Sequence, residues 1–250
     1  MPPSRDVLPL PLLAMDVEGT LTDPQVETPQ GNVSRSAWTR LSMALGEACH
    51  RDELASHERW TNGEYPSYVD WMKDTLIFLR EHGLCESVYR QVIDGIPLHR
   101  GVAETLQWAR DRFHLVFISG GFKQLTDRVQ QIVGAPSIAY SACDFSSWNP
   151  DGTLRDANLL PCDYQEKPAF MRVTQRHLHI PDYGIVAIGD GPSDKDMVEE
   201  VEMSVAFNGP KLAPYTTDAI TQEKGKEDFT AIIPLLETFL ERYRRAANEK

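Results

Sequence analysis

Short apolar runs punctuate this chain, and each is followed at once by small or acidic residues. Leu12–Met15 leads directly into Asp16-Val17-Glu18-Gly19-Thr20. Residues 115–118 stop at Ser119-Gly120-Gly121, residues 185–188 at Gly189-Asp190-Gly191, and residues 204–207 at Asn208-Gly209-Pro210. Runs of this length, with almost no polar interruption and closed by turn residues, predict strands buried on both faces. Between them apolar positions recur at helical spacing over residues 102–110, 123–133, 168–178 and 195–200. Alternation of buried strand and helix predicts an α/β fold, a Rossmann-like parallel sheet with helices on both faces. In such a sheet the ligand crevice lies at the carboxyl ends of the strands, which is where the glycines and carboxylates fall here.

Two regions depart from the alternation. Residues 26–93 hold helical, aromatic-rich segments at 36–49 and 68–80 and no convincing buried strand. They predict a small helical cap domain inserted after the first strand, with the core formed by residues 1–25 and 94–250. Residues 139–160, centred on Asn149-Pro150-Asp151-Gly152, predict a β-hairpin. Residues 229–247 carry apolar positions at helical spacing before a charged end and predict a packing helix.

Composition narrows the function classes. The 250 residues are 41% hydrophobic and 25% charged, ordinary for a globular protein, and the formal net charge is -12. A balance this acidic argues against nucleic acid as a partner, since that affinity comes largely from Lys and Arg on phosphates. A small phosphorylated metabolite is compatible, because a few local donors and a bound cation can hold one anion. No apolar run approaches membrane-spanning length. The stretch 7–15 is broken by Pro9 and Pro11 and runs into Asp16, which suits a buried strand better than a signal peptide. Cys49, Cys85, Cys143 and Cys162 are widely spaced, with no C-x-x-C, and are expected to be free thiols in a reducing cytoplasm. Oligomeric state stays open, a homodimer included.

The chemistry gathers at the strand ends. Asp16 and Glu18 flank one residue on an abrupt turn, and Asp190 and Asp194 add carboxylates at another strand end. Like charges this close raise one another's pKa unless a cation neutralises them, and Mg²⁺, a hard ion preferring oxygen ligands, is the natural choice. Ser119, Gly120 and Gly121 offer a hydroxyl and backbone N–H groups before a helix, suited to phosphate oxygens, and Lys167 adds a positive charge. Taken singly, each feature has a bland alternative: a turn cap, a helix start, a solvated lysine, a charge favoured by the helix dipole. His177 and His179 fall on different sides of a helix and make a poor metal pair.

Together, and in this order, the motifs resemble those of the haloacid dehalogenase (HAD) superfamily, in its phosphoserine-phosphatase-like branch. Asp16-Val17-Glu18-Gly19-Thr20 matches the first motif, Ser119-Gly120-Gly121-Phe122 the second, Lys167 the third, and Gly189-Asp190-Gly191-Pro192-Ser193-Asp194 the fourth. The resemblance implies that Asp16 attacks phosphorus to form an aspartyl-phosphate and that Glu18 protonates the leaving alcohol and then activates water. Glu stands at this second position where the family usually has Asp. The resemblance also implies Mg²⁺ on the Asp16 carboxylate, the Glu18 backbone carbonyl, Asp190 and Asp194, with Ser119, Gly120 and Lys167 on the phosphoryl group. The expected function is Mg²⁺-dependent hydrolysis of a small phosphate monoester. Relatives with Asp-x-Glu include a phosphotransferase, so transfer to an acceptor alcohol is the second reading, and a silent binding module is a third.

The cap bears on substrate. Phosphoserine phosphatases are expected to carry a cap Arg for the substrate carboxylate and an acidic residue after the first motif for the amino group. Here Gln25 stands nearer that acidic position than Glu27, and the place of the Arg falls at Asp74 or Thr75, beside Lys73. Tyr68, Trp71 and Phe78 are expected mainly to pack, and with Trp60, Tyr68 and Trp71 in the same cap a larger or less charged ester than L-phosphoserine is the expected substrate.

Overall fold

A computed structural model describes residues 8–29, 31–134 and 137–248. In chain order, β1 (Leu12–Met15) is followed by a small ribbon, β2 (Val26–Glu27) and β3 (Val33–Ser34), and by four helices, α1 (Ala37–Leu45), α2 (Glu47–Thr61), α3 (Tyr68–Glu81) and α4 (Glu86–Asp94). Then come α5 (Val102–Ala109), β4 (His114–Phe122), α6 (Lys123–Val133), β5 (Ile138–Trp148), β6 (Leu154–Leu159) and α7 (Lys167–His177). The chain continues with β7 (Ile185–Gly189), α8 (Lys195–Glu199), β8 (Met203–Phe207), β9 (Asp218–Ile220) and α9 (Ile233–Asn248).

The main sheet has seven strands in the order β6-β5-β4-β1-β7-β8-β9. All its pairings are parallel except β5 with β6, the hairpin expected around Asn149-Pro150-Asp151-Gly152. β1 lies between β4 and β7, with Met15 opposite Phe117 on one side and Ile188 on the other. That register brings the Asp16, Ser119 and Asp190 segments to one edge.

Every residue of β1 is buried. Because side chains alternate across a strand, Leu13 and Met15 pack with Leu115, Phe117, Val186 and Ile188 on one face, while Leu12 and Ala14 pack with Val116, Ile118 and Ala187 on the other. Met171 of α7 and Met197 of α8 cover the second face, and Val129 of α6 and Leu236 of α9 help cover the first. This is the Rossmann-like layering that unbroken apolar runs require.

The helical insertion between β1 and α5 joins the same core. Tyr89 of α4 meets Phe122 and Phe145 with ring centroids 5.4 and 5.2 Å away. Burying a large apolar side chain contributes about 1.5–3 kcal/mol, so this contact fastens α4 over the β4–β5 pair. Arg80 at the end of α3 donates to the Arg155 carbonyl of β6 at 3.0 Å, and Glu86 N–H donates to the Gly152 carbonyl at 2.9 Å.

Some expectations change. Residues 36–49 form two helices rather than one, because Gly46 adopts φ 116° and turns the chain between α1 and α2. β4 does not stop at Ser119 but runs on to Phe122, and the helix after it starts at Lys123. Ser119-Gly120-Gly121 therefore sits on a strand end instead of a helix head. β9, with three residues that are half-buried or exposed, carries no apolar run and departs from the expected pattern. Of the stretch 7–15, Val7 lies outside the described residues and the strand itself is Leu12–Met15. All four cysteines are unpaired. Among the described residues no helix is long and apolar enough to cross a membrane.

Candidate active site

Asp16 follows the last residue of β1 and extends its ladder by one bond, its N–H donating to the Ile188 carbonyl at 3.0 Å. The chain must then turn sharply, and Gly19 does so at φ +91°, where a Cβ would lie 2.5 Å from an Asp190 carboxylate oxygen. Only glycine fits that close approach. Thr20 O–H donates to Asp190 Oδ1 at 2.9 Å, tying the first motif to the fourth. Asp194 Oδ2 accepts the Asp190 and Gly191 N–H groups, both at 3.0 Å, which closes the turn after β7.

Lys167 is 1% exposed and reaches this cluster from the start of α7. Its Nζ donates to Asp16 Oδ1 and to Asp194 Oδ1, each at 2.6 Å, and lies 3.6 Å from Asp163 Oδ1. Burial works against the ammonium charge, but the Asp16, Asp194 and Asp163 carboxylates outweigh it and hold the pKa well above the ordinary lysine value. Asp16 is pushed up to about 7, by burial first and by Asp194 and Asp163, against the pull of Lys167. Asp190 is raised well above the usual carboxylate range by burial and then by Asp16 and Asp194. One ammonium thus faces several carboxylates, and the site is short of positive charge.

Oxygen atoms of Asp16, Asp190 and Asp194 lie within 4.8 Å of one another. Three carboxylates this close, two of them with raised pKa values, form a donor set that fits a hard, oxygen-seeking cation. The Glu18 carboxylate points elsewhere. Its Oε1 accepts the Ala37 N–H at 2.6 Å, at the first turn of α1, where the Ser36 side chain takes the Trp38 and Thr39 N–H groups. Helix starts leave such donors unsatisfied, and here Glu18 and Ser36 share them. Glu18 Oε2 is buried without a partner and abuts the Gly121 Cα, where a side chain would collide with it. Burial, chiefly, and the neighbouring Asp16 and Asp163 charges push Glu18 up to about 8, against the Ala37 N–H.

The structure thus brings Asp16, Glu18, Lys167, Gly120, Asp190 and Asp194 to one cavity of about 450 Å³, although Asp194 stands just behind its wall. Ser119 is fully buried beside it and accepts the Gly121 N–H at 3.1 Å. Sequence reasoning missed Asp163, which lines the cavity against Gly120 and whose buried Oδ1 accepts no hydrogen bond, with Lys167 Nζ 3.6 Å away. Burial and nearby Asp194, opposed by Lys167, push it up to about 6. Its spacing of four residues from Lys167 was the available signal. Tyr164 also lines the cavity, at φ 47°, with its ring 5.7 Å from Trp60.

The insertion supplies the opposite wall, including Trp38, Tyr68, Trp71, Met72, Thr75 and Phe78. Tyr68, Trp71 and Phe78, expected mainly to pack, therefore pack and also face the cavity, while Trp60 stacks behind on Trp71 with centroids 4.9 Å apart. Asp74 lies outside it, bonded to Arg59 Nη2 at 2.7 Å and Tyr65 O–H at 2.6 Å. Lys73, Gln25 and Glu27 do not line it either. The arginine that does is Arg35, 3.3 Å from Glu227.

A parallel sheet with a buried aspartate just after β1, a buried lysine and an acidic turn after β7 defines a class. The family model for haloacid dehalogenase-like hydrolases matches residues 10–201, and the chain belongs to that family. Among curated relatives, a phosphoserine phosphatase of Haemophilus influenzae is 28% identical over 232 residues, covering 90% of this chain and 65% of that protein. A phosphoserine phosphatase of Archaeoglobus fulgidus is 22% identical over 226 residues, covering 90% and 60%. The chain thus spans less than two thirds of the length of these two. One from a Polaromonas strain is 26% identical over 216 residues, covering 84% and 85%. Of solved structures, a phospho-aspartyl intermediate analogue of phosphoserine phosphatase has a TM-score of 0.69 at 16% identity, covering 91% of this chain and 99% of that one. A probable phosphoserine phosphatase from Vibrio cholerae, unliganded, has a TM-score of 0.71 at 15% identity, covering 94% and 66%. At these identities the structural likeness establishes the fold.

Proposed function

We propose that this chain hydrolyses a small phosphate monoester through a phosphorylated Asp16. The observation that carries the reading is the division of labour between two buried carboxyl groups in one cavity. Asp16 is gripped by Lys167 at 2.6 Å, and Glu18 is held apart by the Ala37 N–H with Oε2 left without a partner. An Asp16 oxygen attacks phosphorus, the ester P–O bond breaks, and the alkoxide leaves. Glu18, protonated at neutral pH with its pKa near 8, gives that proton to the leaving oxygen. The resulting carboxylate then takes a proton from water as the water attacks the acyl phosphate, which frees inorganic phosphate and restores Asp16.

Lys167 holds Asp16 in place and supplies positive charge for the transferring oxygens, while the Gly120–Gly121 segment forms the adjoining wall. Asp16, Asp190, Asp194 and the Glu18 backbone carbonyl would hold Mg²⁺, which when bound supplies the positive charge the carboxylates lack. The cap wall supports a substrate other than L-phosphoserine. The place expected for a carboxylate-gripping arginine holds Asp74, outside the cavity, and Thr75, whose hydroxyl is spent on the Trp71 carbonyl at 3.0 Å. An ester with an apolar or aromatic body fits the Trp38, Trp71, Met72 and Phe78 surface better.

The test is phosphate release from a generic aryl phosphate. Activity is expected with added Mg²⁺ and none after exhaustive chelation. Full activity in the chelated protein would overturn the metal assignment, and no release from any of a broad panel of phosphate esters would overturn hydrolysis.

A further inference from the structure

The Gly120 carbonyl accepts two hydrogen bonds, and both donors come from the helical insertion. Trp38 Nε1–H, from the first turn of α1, donates at 3.2 Å, and Tyr68 O–H, from the first residue of α3, donates at 3.0 Å. This carbonyl is available because the β4–β5 register shifts between Ser119 and Phe122, where β4 carries one residue more than β5. A bulge of this kind takes a peptide off the ladder and re-aims it. Glycine is required on both sides of that peptide, since a Cβ on Gly120 would collide with the Asp163 carboxylate and one on Gly121 with Glu18 Oε2.

A trans peptide is a rigid plane whose C=O and N–H point in opposite directions. Fixing the Gly120 oxygen toward the cap therefore fixes the Gly121 N–H on the other edge, and that N–H donates to Ser119 Oγ at 3.1 Å. A serine hydroxyl has one hydrogen to give and lone pairs to receive. With the Gly121 N–H on a lone pair, the Ser119 hydrogen is turned away from the loop, and among the described residues this hydroxyl makes no second hydrogen bond. Hydrogen bonds in such a chain also polarise one another.

We infer that Trp38 and Tyr68 are positioning residues that act through the Gly120–Gly121 peptide to aim the Ser119 hydroxyl at the transferring phosphoryl group. The inference rests on the phosphoryl-transfer reading above and extends it. The seating of the cap on the core and the aim of the serine depend on the same two donors, Trp38 Nε1–H and Tyr68 O–H. Tyr68 is 6% exposed and packs against Trp71 and Trp60, so its ring has a structural part besides. Phenylalanine keeps that ring and removes only the donor.

The experiment is a double-mutant cycle on kcat with a reactive aryl phosphate, using Tyr68→Phe, Ser119→Ala and the pair, with Tm measured for each. The loss of a neutral hydrogen bond corresponds to about threefold to tenfold. Tyr68→Phe is expected to lower kcat by that much in the otherwise intact enzyme, with KM nearly unchanged, and by less than about twofold once Ser119 is alanine. Trp38→Phe is expected to repeat the pattern, and its additional loss of packing on Phe122, 4.3 Å between centroids, shows in Tm rather than in the cycle. Equal losses in the two backgrounds would overturn the relay and leave the hydrolase reading standing. A Ser119→Ala enzyme as active as the unaltered one would remove Ser119 from phosphoryl contact and the relay with it. An unaltered protein without turnover would fail the hydrolase reading itself.

Discussion

The floor and the roof of the cavity are made from different materials. The floor comes from strand ends: Asp16 after β1, Asp190 and Asp194 after β7, and Lys167 at the head of α7, bonded at 2.6 Å to two of those carboxylates. The roof comes from α1, α2 and α3, with Trp38, Leu54, Tyr68, Trp71, Met72 and Phe78 turned inward. Charge in the floor is held rigidly by buried strands, and such fixed charge suits bond making at phosphorus. The roof is mostly apolar, with its charges Arg35 and Glu53 engaged by Glu227 and by the Thr39 and Ser42 hydroxyls, which suits recognition of whatever the phosphate is attached to. Where the two meet, contact is polar and specific: Glu18 on the Ala37 N–H, and Trp38 and Tyr68 on the Gly120 carbonyl. Chemistry and selectivity can therefore be altered separately, except at that seam.

The largest effect is expected in the floor. Asp16→Asn should lower kcat by at least about 1,000-fold, because an amide is a poor nucleophile, while phosphate-ester binding measured by calorimetry persists. Turnover within tenfold of the unaltered enzyme would take the nucleophile role away from Asp16. Next comes Lys167→Met, expected to lower kcat by about 100- to 1,000-fold as a charged donor to the transferring oxygens is lost. It should also lower stability by about 3–5 kcal/mol in urea unfolding, since buried Asp16 and Asp194 lose their shared cation. A variant as stable and active as the parent would mean that the ion pairs are incidental.

The roof is probed by substrate choice. The kcat/KM for L-phosphoserine should fall about tenfold or more below that of the best aryl or bulky alkyl phosphate, given that the arginine lining the cavity among the described residues, Arg35, is bound to Glu227. A tenfold lead for phosphoserine would reverse this reading of the roof. At the seam the readout is stability rather than turnover. Glu18 has its folded pKa near 8, above its ordinary 4.5, so the folded state binds the extra proton across that window. Stability of the metal-free protein should accordingly fall as pH rises from about 4.5 to about 8, by an amount on the order of a few kcal/mol from this group. Glu18→Gln, which cannot ionise, should flatten the slope. An unchanged slope in denaturant melts would show that Glu18 is not buried in its neutral form.

Much of the floor is legible in the amino-acid sequence. Leu12–Met15 and residues 185–188 announce themselves as buried strands because both faces of a parallel sheet are covered, and the carboxylates follow immediately in sequence. The roof is legible only as helix and aromatic content. Gly46 splitting α1 from α2, and Trp38 reaching a carbonyl 82 residues away, depend on how the helices enter and pack, which local periodicity does not encode. Asp163 escapes notice for a related reason: it precedes a short 3-10 turn, and only the fold places it against Gly120. The bulge in β4 is hidden because Gly-Gly after an apolar run reads equally as a strand end or a helix start.

If phosphate passes through Asp16, it can be caught there. The enzyme is mixed with a rapidly cleaved phosphate ester and Mg²⁺, quenched in acid, reduced with borohydride and mapped by peptide mass spectrometry. Reduction of an acyl phosphate turns aspartate into homoserine, so homoserine is expected at position 16, dependent on substrate and absent from Asp16→Asn. Sustained turnover with no modification at Asp16, or with the modification at another carboxylate, would contradict passage through Asp16.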